Sequence, residues 1–311
     1  MSASLSHPIR RVLLRVLLAL VVCVTVAAIA WLVLPSPKSP FPESSLPSPN
    51  GHEDFVAAGQ SLIARDFDSS TATFEQMRSY VSSNTAALTR LRLGLTHTAR
   101  VPIEFTTDDT ARRLDALGSM KRLTILLLTE GRVSEADQRI DDALSSRLDA
   151  LRFSHESVRG GLLIDMLVGV ACEAMALGSL DRSLGALDPA QCRRAIQVIQ
   201  AVERAREPTA EVLDRERIWA RRVWGWRGDL ARMLPSNAQS LRETEQKTAS
   251  KRDQADRQRG AVLIKLACRA YRLETGKAAG RWEDLVPRQL EKIPTDPSTG
   301  QPLPLDLGIT E

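Results

Sequence analysis

The sequence predicts an all-α protein: a single N-terminal transmembrane helix, then a multi-helix domain closed by a small irregular C-terminal cassette. Three observations predict it. Val16 through Leu34 is an uncharged apolar run, broken only by the polar side chain of Thr25. Beyond residue 53, apolar residues recur at helical spacing behind recognisable helix starts, and strand-like alternation is nearly absent before residue 290. Aromatics are only 4% of the 311 residues against 43% hydrophobic, so the core is mostly Leu, Ala, Val and Ile, which suits helices better than a β-sandwich.

The apolar run comes first. At about 1.5 Å per residue its length matches the roughly 30 Å hydrocarbon core of a bilayer. Arg10, Arg11 and Arg15 precede it and Trp31 sits near its far end, so the N-terminus is expected in the cytoplasm and the remainder outside. The competing reading is a cleaved signal peptide, with Ala28-Ile29-Ala30 as the cleavage site. The run is longer than a usual signal core, so an uncleaved anchor over residues 12–34 is expected, with residues 1–11 cytoplasmic. Pro35, Pro37, Pro40, Pro42, Pro47 and Pro49 then mark a linker over 35–52, extended and semi-rigid.

A helical domain over 53–276 follows. Thr73 with Gln76, Ser134 with Asp137 and Asp188 with Gln191 read as capping boxes, the last with Pro189 at the first helical position. Helices are expected near 53–65, 72–94, 108–130, 134–153, 156–178, 189–206, 209–234 and 257–275. Gly160 to Leu180 carries only Asp165 and Glu173, so a second membrane span over 160–180 has to be weighed. Central acids make insertion costly, and a buried core helix is expected instead. Gly131 reads as the tight turn of a helical hairpin, with Ala136 and Ala143 allowing close approach. It resembles a tetratricopeptide hairpin, but no second copy follows. Val212, Trp219, Val223, Trp226, Leu230 and Met233 form a core-facing stripe, Trp224 standing apart from it, and 239–259 is a solvated helix extension or loop.

The cassette over 277–311 begins after the helix stop at Gly276. Ala270-Tyr271-Arg272-Leu273 precedes that stop. Leu285-Val286-Pro287 and Ile293-Pro294 follow it and lead to Asp296-Pro297-Ser298-Thr299-Gly300, a turn signal. These roughly 45 residues resemble the segment after the long helix in type II secretion major pseudopilins, and the cassette of uncharacterised membrane-anchored bacterial envelope proteins. Ala278-Ala279 stands where those sequences carry Tyr-Pro, and the N-terminus lacks the pseudopilin processing site. The resemblance therefore implies a helix-capping tail and no activity.

The search for chemistry yields no catalytic, cofactor-binding or metal-binding residues. His7, His52, His97 and His155 are too scattered for a zinc helix. No phosphate loop or nucleophile elbow occurs. Asp108-Asp109, Asp141-Asp142 and Glu283-Asp284 could form the two-carboxylate arrangement of glycan cleavage, yet each sits at a helix start or on a charged face. Glu156-Ser157 resembles the Glu-Ser of lytic transglycosylases, without the residues that should follow. Cys172, Cys192 and Cys268 are expected as buried free thiols, a Cys172–Cys192 bridge being one alternative.

The charge is +4, but 35 of the 42 basic residues are Arg, scattered and interleaved with 38 acids, so no nucleic-acid partner is expected. The functional expectation is a membrane-anchored envelope protein, its C-terminal domain periplasmic or otherwise extracytoplasmic. It would act as a non-enzymatic interaction or scaffold protein with a protein partner. The alternatives are a cell-wall hydrolase using an unrecognised carboxylate pair and a secretion-system accessory.

Overall fold

The computed structural model describes residues 20–26, 46–103, 109–233 and 235–308. Most of these are helical and none lies in a β-strand. The folded part runs α1 (Gly51–Gln60), α2 (Phe74–Ser83), α3 (Thr85–Thr96), α4 (Asp109–Ala136), α5 (Ile140–Glu156), α6 (Leu163–Ser183), α7 (Pro189–Arg204), α8 (Thr209–Met233) and α9 (Pro235–Thr275). Short 3-10 turns follow at Trp282–Asp284 and Leu305–Gly308. Most of the expected anchor and linker lies outside the described residues. The described part of the anchor, 20–26, is helical with its Leu and Val side chains exposed.

Two of the three expected capping boxes form. Thr73 accepts from Gln76 N–H while the Gln76 amide oxygen accepts from Thr73 N–H, and Asp188 and Gln191 do the same. The third does not. Ser134 is buried inside α4, which runs on to Ala136, and the hairpin turn follows it, with Gln138 at φ +61°. Gly131 is accordingly not the turn. It lies mid-helix where α4 crosses α5, and a Cβ there would sit 3.2 Å from the Ala143 carbonyl oxygen. Small size at Gly131 serves close packing rather than backbone freedom.

The expected single helix over 72–94 is two. Asn84, 1% exposed, interrupts it: its amide donates to the Tyr80 carbonyl (2.8 Å) and its oxygen accepts from Ile63 N–H (2.8 Å). A buried amide that satisfies a neighbouring turn costs the helix its continuity. At the other end of the domain, α9 spans both the expected apolar helix over 257–275 and the polar stretch before it, so that stretch is a helix extension. The first helix begins at Gly51 with Asn50 accepting from His52 N–H, so the domain starts slightly before residue 53.

One continuous apolar core joins α1 to α7 and α9, while Trp219 and Ala220 of α8 form a small separate cluster with Leu162. Leu123, Leu126 and Leu127 of α4 meet Leu144, Leu148 and Leu151 of α5. Ala176, Leu177 and Leu180 of α6 lie between α5 and α9. Among the described residues, one helical stretch, Leu163–Ala186, is long and apolar enough to cross a membrane. Its most apolar window is 50% buried, and of its three acids Asp165 and Glu173 are buried against arginines while Asp181 pairs with Lys265 (2.9 Å). That is the arrangement of a central core helix.

The cassette folds back on this core. Gly276 stops α9 at φ +73° and its N–H reaches the Arg272 carbonyl (2.9 Å). Leu285, Leu290 and Leu303 are buried, and Leu303 occupies the space that a side chain at Gly260 of α9 would fill. The Asp296 turn forms as expected, with Gly300 N–H donating to the Asp296 carbonyl (2.7 Å) and Asp296 Oδ1 accepting from Ser298 N–H (2.8 Å). In α8, Val212 and Trp219 face inward with Val223 packed beside them, while Trp224 is 54% exposed. The side chains of Trp226, Leu230 and Met233 lie outside the described residues.

Candidate functional site

Of the acids singled out as pairs in the sequence, Asp141, Asp142 and Asp284 are engaged in structural work. Asp142 pairs with Arg139 (2.8 Å) and Asp141 accepts from Gln191 Nε2 (3.0 Å). Asp284 accepts from the backbone N–H groups of Gly280 and Arg281, which hold its carboxyl below the usual range. Asp108 lies outside the described residues, and Asp109 opens α4. Glu156 ends α5 in an ion pair with Arg159 (2.7 Å), which commits it to a guanidinium instead of to a leaving group. No cluster of His, Cys, Asp and Glu able to hold a metal occurs among the described residues.

Cys172, Cys192 and Cys268 are buried free thiols. Burial pushes Cys192 and Cys268 up to about 11, so both remain protonated and unreactive at neutral pH. His97 Nδ1 lies 3.0 Å from Asp54, which also takes Arg90 (2.7 Å).

The polar chemistry instead concentrates where α5, α6, α7, α8 and α9 meet. Glu173, buried on α6, accepts two bonds from Arg259 of α9 (2.6 and 2.8 Å) and one from Arg206 (3.2 Å), which follows α7. Asp256 takes a second bond from each of those arginines. Glu207 pairs with Arg215 (2.5 Å) and accepts from Gly160 N–H (3.1 Å), while Arg215 also donates to the Gly161 carbonyl (2.6 Å). The α5–α6 turn, the start of α8 and the middle of α9 are thus locked together by charge-assisted bonds. Sequence reasoning passed over this network because its members lie far apart along the chain. Two buried-face acids on an otherwise apolar helix, Asp165 and Glu173, were the available signal.

Two spaces border the junction and a third lies apart from it. A cavity of about 40 Å³ is walled by Arg159, Arg206 and Arg252 together with Glu173 and Glu207. It shares His155, Arg159 and Val202 with an open cleft of about 670 Å³ that also presents His97, Arg152 and Arg204. The third, about 390 Å³, lies beside α1 and α4 and is lined by Val56, Leu117 and Met120 with His52, Asp115 and Asp165. Burial pushes Asp165 up in spite of Arg113 at 2.8 Å, and burial depresses His52 to about 4. Asp165 is nonetheless held in place: it also accepts from Leu162 N–H (2.6 Å), closing the first turn of α6.

Comparison with family models, with curated proteins and with solved structures returns no match to this chain.

Proposed function

We propose that this chain is a single-pass membrane protein whose helical domain stands outside the cytoplasm and acts by binding a protein partner rather than by catalysis. The observation that carries the proposal is the uncharged run Val16–Leu34, with arginines on its N-terminal side only. Leaving so many apolar side chains in water is costly, and Leu20, Val21, Val22, Val24 and Val26 are exposed among the described residues. Behind a proline-rich spacer, a rigid body of packed helices is then held at a distance from the membrane.

Two measurements on intact cells test this. External protease should remove a tag at the carboxyl end, and crosslinking should recover a specific protein. Protection of the tag by the inner bilayer, or free solubility of the full chain without detergent, would sink the anchor. Recovery of background proteins only would sink the binding role.

One observation favours a hydrolase as a second reading. The cavity beside α4 is largely apolar and holds two acids, the buried Asp165 with its proton affinity raised and the exposed Asp115. Its test is cleavage of purified peptidoglycan, which Asp115→Asn and Asp165→Asn should each abolish. No cleavage by the intact protein removes the reading.

A further inference from the structure

The arginine–carboxylate junction does not balance. Each carboxylate in it already has a guanidinium: Glu156 has Arg159, Glu173 has Arg259 and Arg206, Asp256 has Arg206 and Arg259, and Glu207 has Arg215. Arg252 of α9 stands in the same group without one. Among the described residues its one hydrogen bond goes from Nη2 to the backbone carbonyl of Glu207 (3.1 Å), and it makes no ion pair there with neighbouring Asp253 or with Asp256. A guanidinium carries five N–H donors in a planar fork and cannot shed its charge at neutral pH. Arg252 also lines a cavity walled by Arg159 and Arg206.

On balance the surroundings disfavour that charge: burial, and then the neighbouring Arg206, lower the pKa of Arg252 to about 10 against the opposing pull of Asp256 and Glu173. An unmatched cation in such a place is relieved by an anion or by water, and the cationic side chains along the approach favour the anion. The cavity is small, about 40 Å³, so it takes a compact group only. It adjoins the cleft of about 670 Å³ through shared walls, and the cleft carries Arg152 and Arg204 on its sides. Arg152 has no ion-pair or hydrogen-bond partner among the described residues, whereas Arg204 is held by Glu291 (2.5 Å). Cationic walls leading to a cationic end attract anions along the path.

We infer that the small cavity is a binding site for a compact oxyanion, a carboxylate or a phosphate group, seated on Arg252 between Arg159 and Arg206 and approached through the open cleft. Carboxylate and phosphate share the oxygen spacing that a guanidinium fork meets with two parallel bonds. Glu173 and Glu207 also line the space, but their charge is taken up by Arg259, Arg206 and Arg215, so they do not expel the ligand. The inference stands independently of the membrane anchor.

The test uses the full chain in detergent with inorganic phosphate and acetate as probes, at ionic strength held constant with chloride. Calorimetric titration should show saturable binding of phosphate or acetate at one site. Arg252→Gln should weaken it by roughly tenfold or more, as expected for loss of charge-assisted hydrogen bonds, and Arg252→Lys by less. Arg78→Gln, on a remote surface ion pair, should leave it unchanged. A measurement free of variants accompanies this: phosphate should protect Arg252 from an arginine-specific dicarbonyl reagent, read by mass spectrometry. No saturable binding to the intact protein, equal binding to Arg252→Gln, or an Arg252 that phosphate leaves unprotected would each overturn the site. A sugar phosphate distinguishes a free ion from the end group of a larger molecule. If the body of such a molecule lies in the cleft, Arg152→Gln weakens the sugar phosphate and spares inorganic phosphate.

Discussion

At the scale of single residues, the consequences of burial are sharpest at Glu173 and His52. Glu173 is 5% exposed and Arg259 4%. Removing the carboxylate leaves Arg259 buried beside Arg206 with only Asp256 between them. Glu173→Gln should therefore destabilise the fold by about 3–5 kcal/mol, measured by urea unfolding. Replacing a whole buried pair with packed apolar residues often costs nothing, so the loss would report the stranded charge and not the worth of the bridge.

His52 sets a pH dependence. In the unfolded chain its ring takes a proton near 6.5, whereas in the fold burial keeps it neutral down to about 4, reinforced by the Arg113 charge and opposed by a hydrogen bond with the Ser157 backbone. Between those values the unfolded state binds more protons, so this contribution to stability is present above about pH 6.5 and drains away as the pH falls towards 4. Melting temperatures of wild type and His52→Gln, followed from neutral pH downward, should converge as the pH drops, with a relative change of about 3 kcal/mol. A gap that stays constant with pH would show that the ring charges freely in the fold.

Among the helices, close approach matters more than intrinsic propensity. Gly51 at the start of α1 and Gly94 in α3 face one another across a helix contact, where a Cβ on Gly51 would collide with the Gly94 carbonyl oxygen and one on Gly94 would lie 2.6 Å from the Phe55 ring. On propensity alone, Gly94→Ala should favour α3 by about 1 kcal/mol. Overpacking of a rigid contact costs about 1–3 kcal/mol and should win, because neither a backbone oxygen nor a buried ring can step aside. A Gly94→Ala protein more stable to denaturant than wild type would show that α1 can shift outward. Element boundaries were legible where a side chain caps locally, as at Thr73 and Asp188, because the partners are three residues apart. They were not legible at Asn84 or Ser134. There the deciding contact for Asn84 is the distant Ile63, and Ser134 is simply enclosed by packing.

For the molecule as a whole, the C-terminal cassette belongs to the core. Leu285, Leu290 and Leu303 belong to the same buried cluster as Ile196, Ile199 and Val262, and Glu274 anchors Arg193, Arg288 and Gln289 around it. Ending the chain after Gly276 should uncover this face of α7 and α9. The shortened protein should lose its cooperative thermal transition and bind a hydrophobic dye. A sharp transition at an unchanged temperature would show the cassette to be an appendage.

The sequence by itself determined the helical class, the two capped helix starts, the glycine stop of α9 and the burial of the three cysteines. Each rests on periodicity or on partners within one turn, and local geometry carries that information. The tertiary structure alone decided where α2 and α3 part, why Gly131 is small, and that arginines from α9 and from just after α7 meet the Glu173 carboxylate of α6 beside a cavity. Those facts depend on which faces come together in space, and a charge balance among distant residues leaves no mark on the order in which they are written.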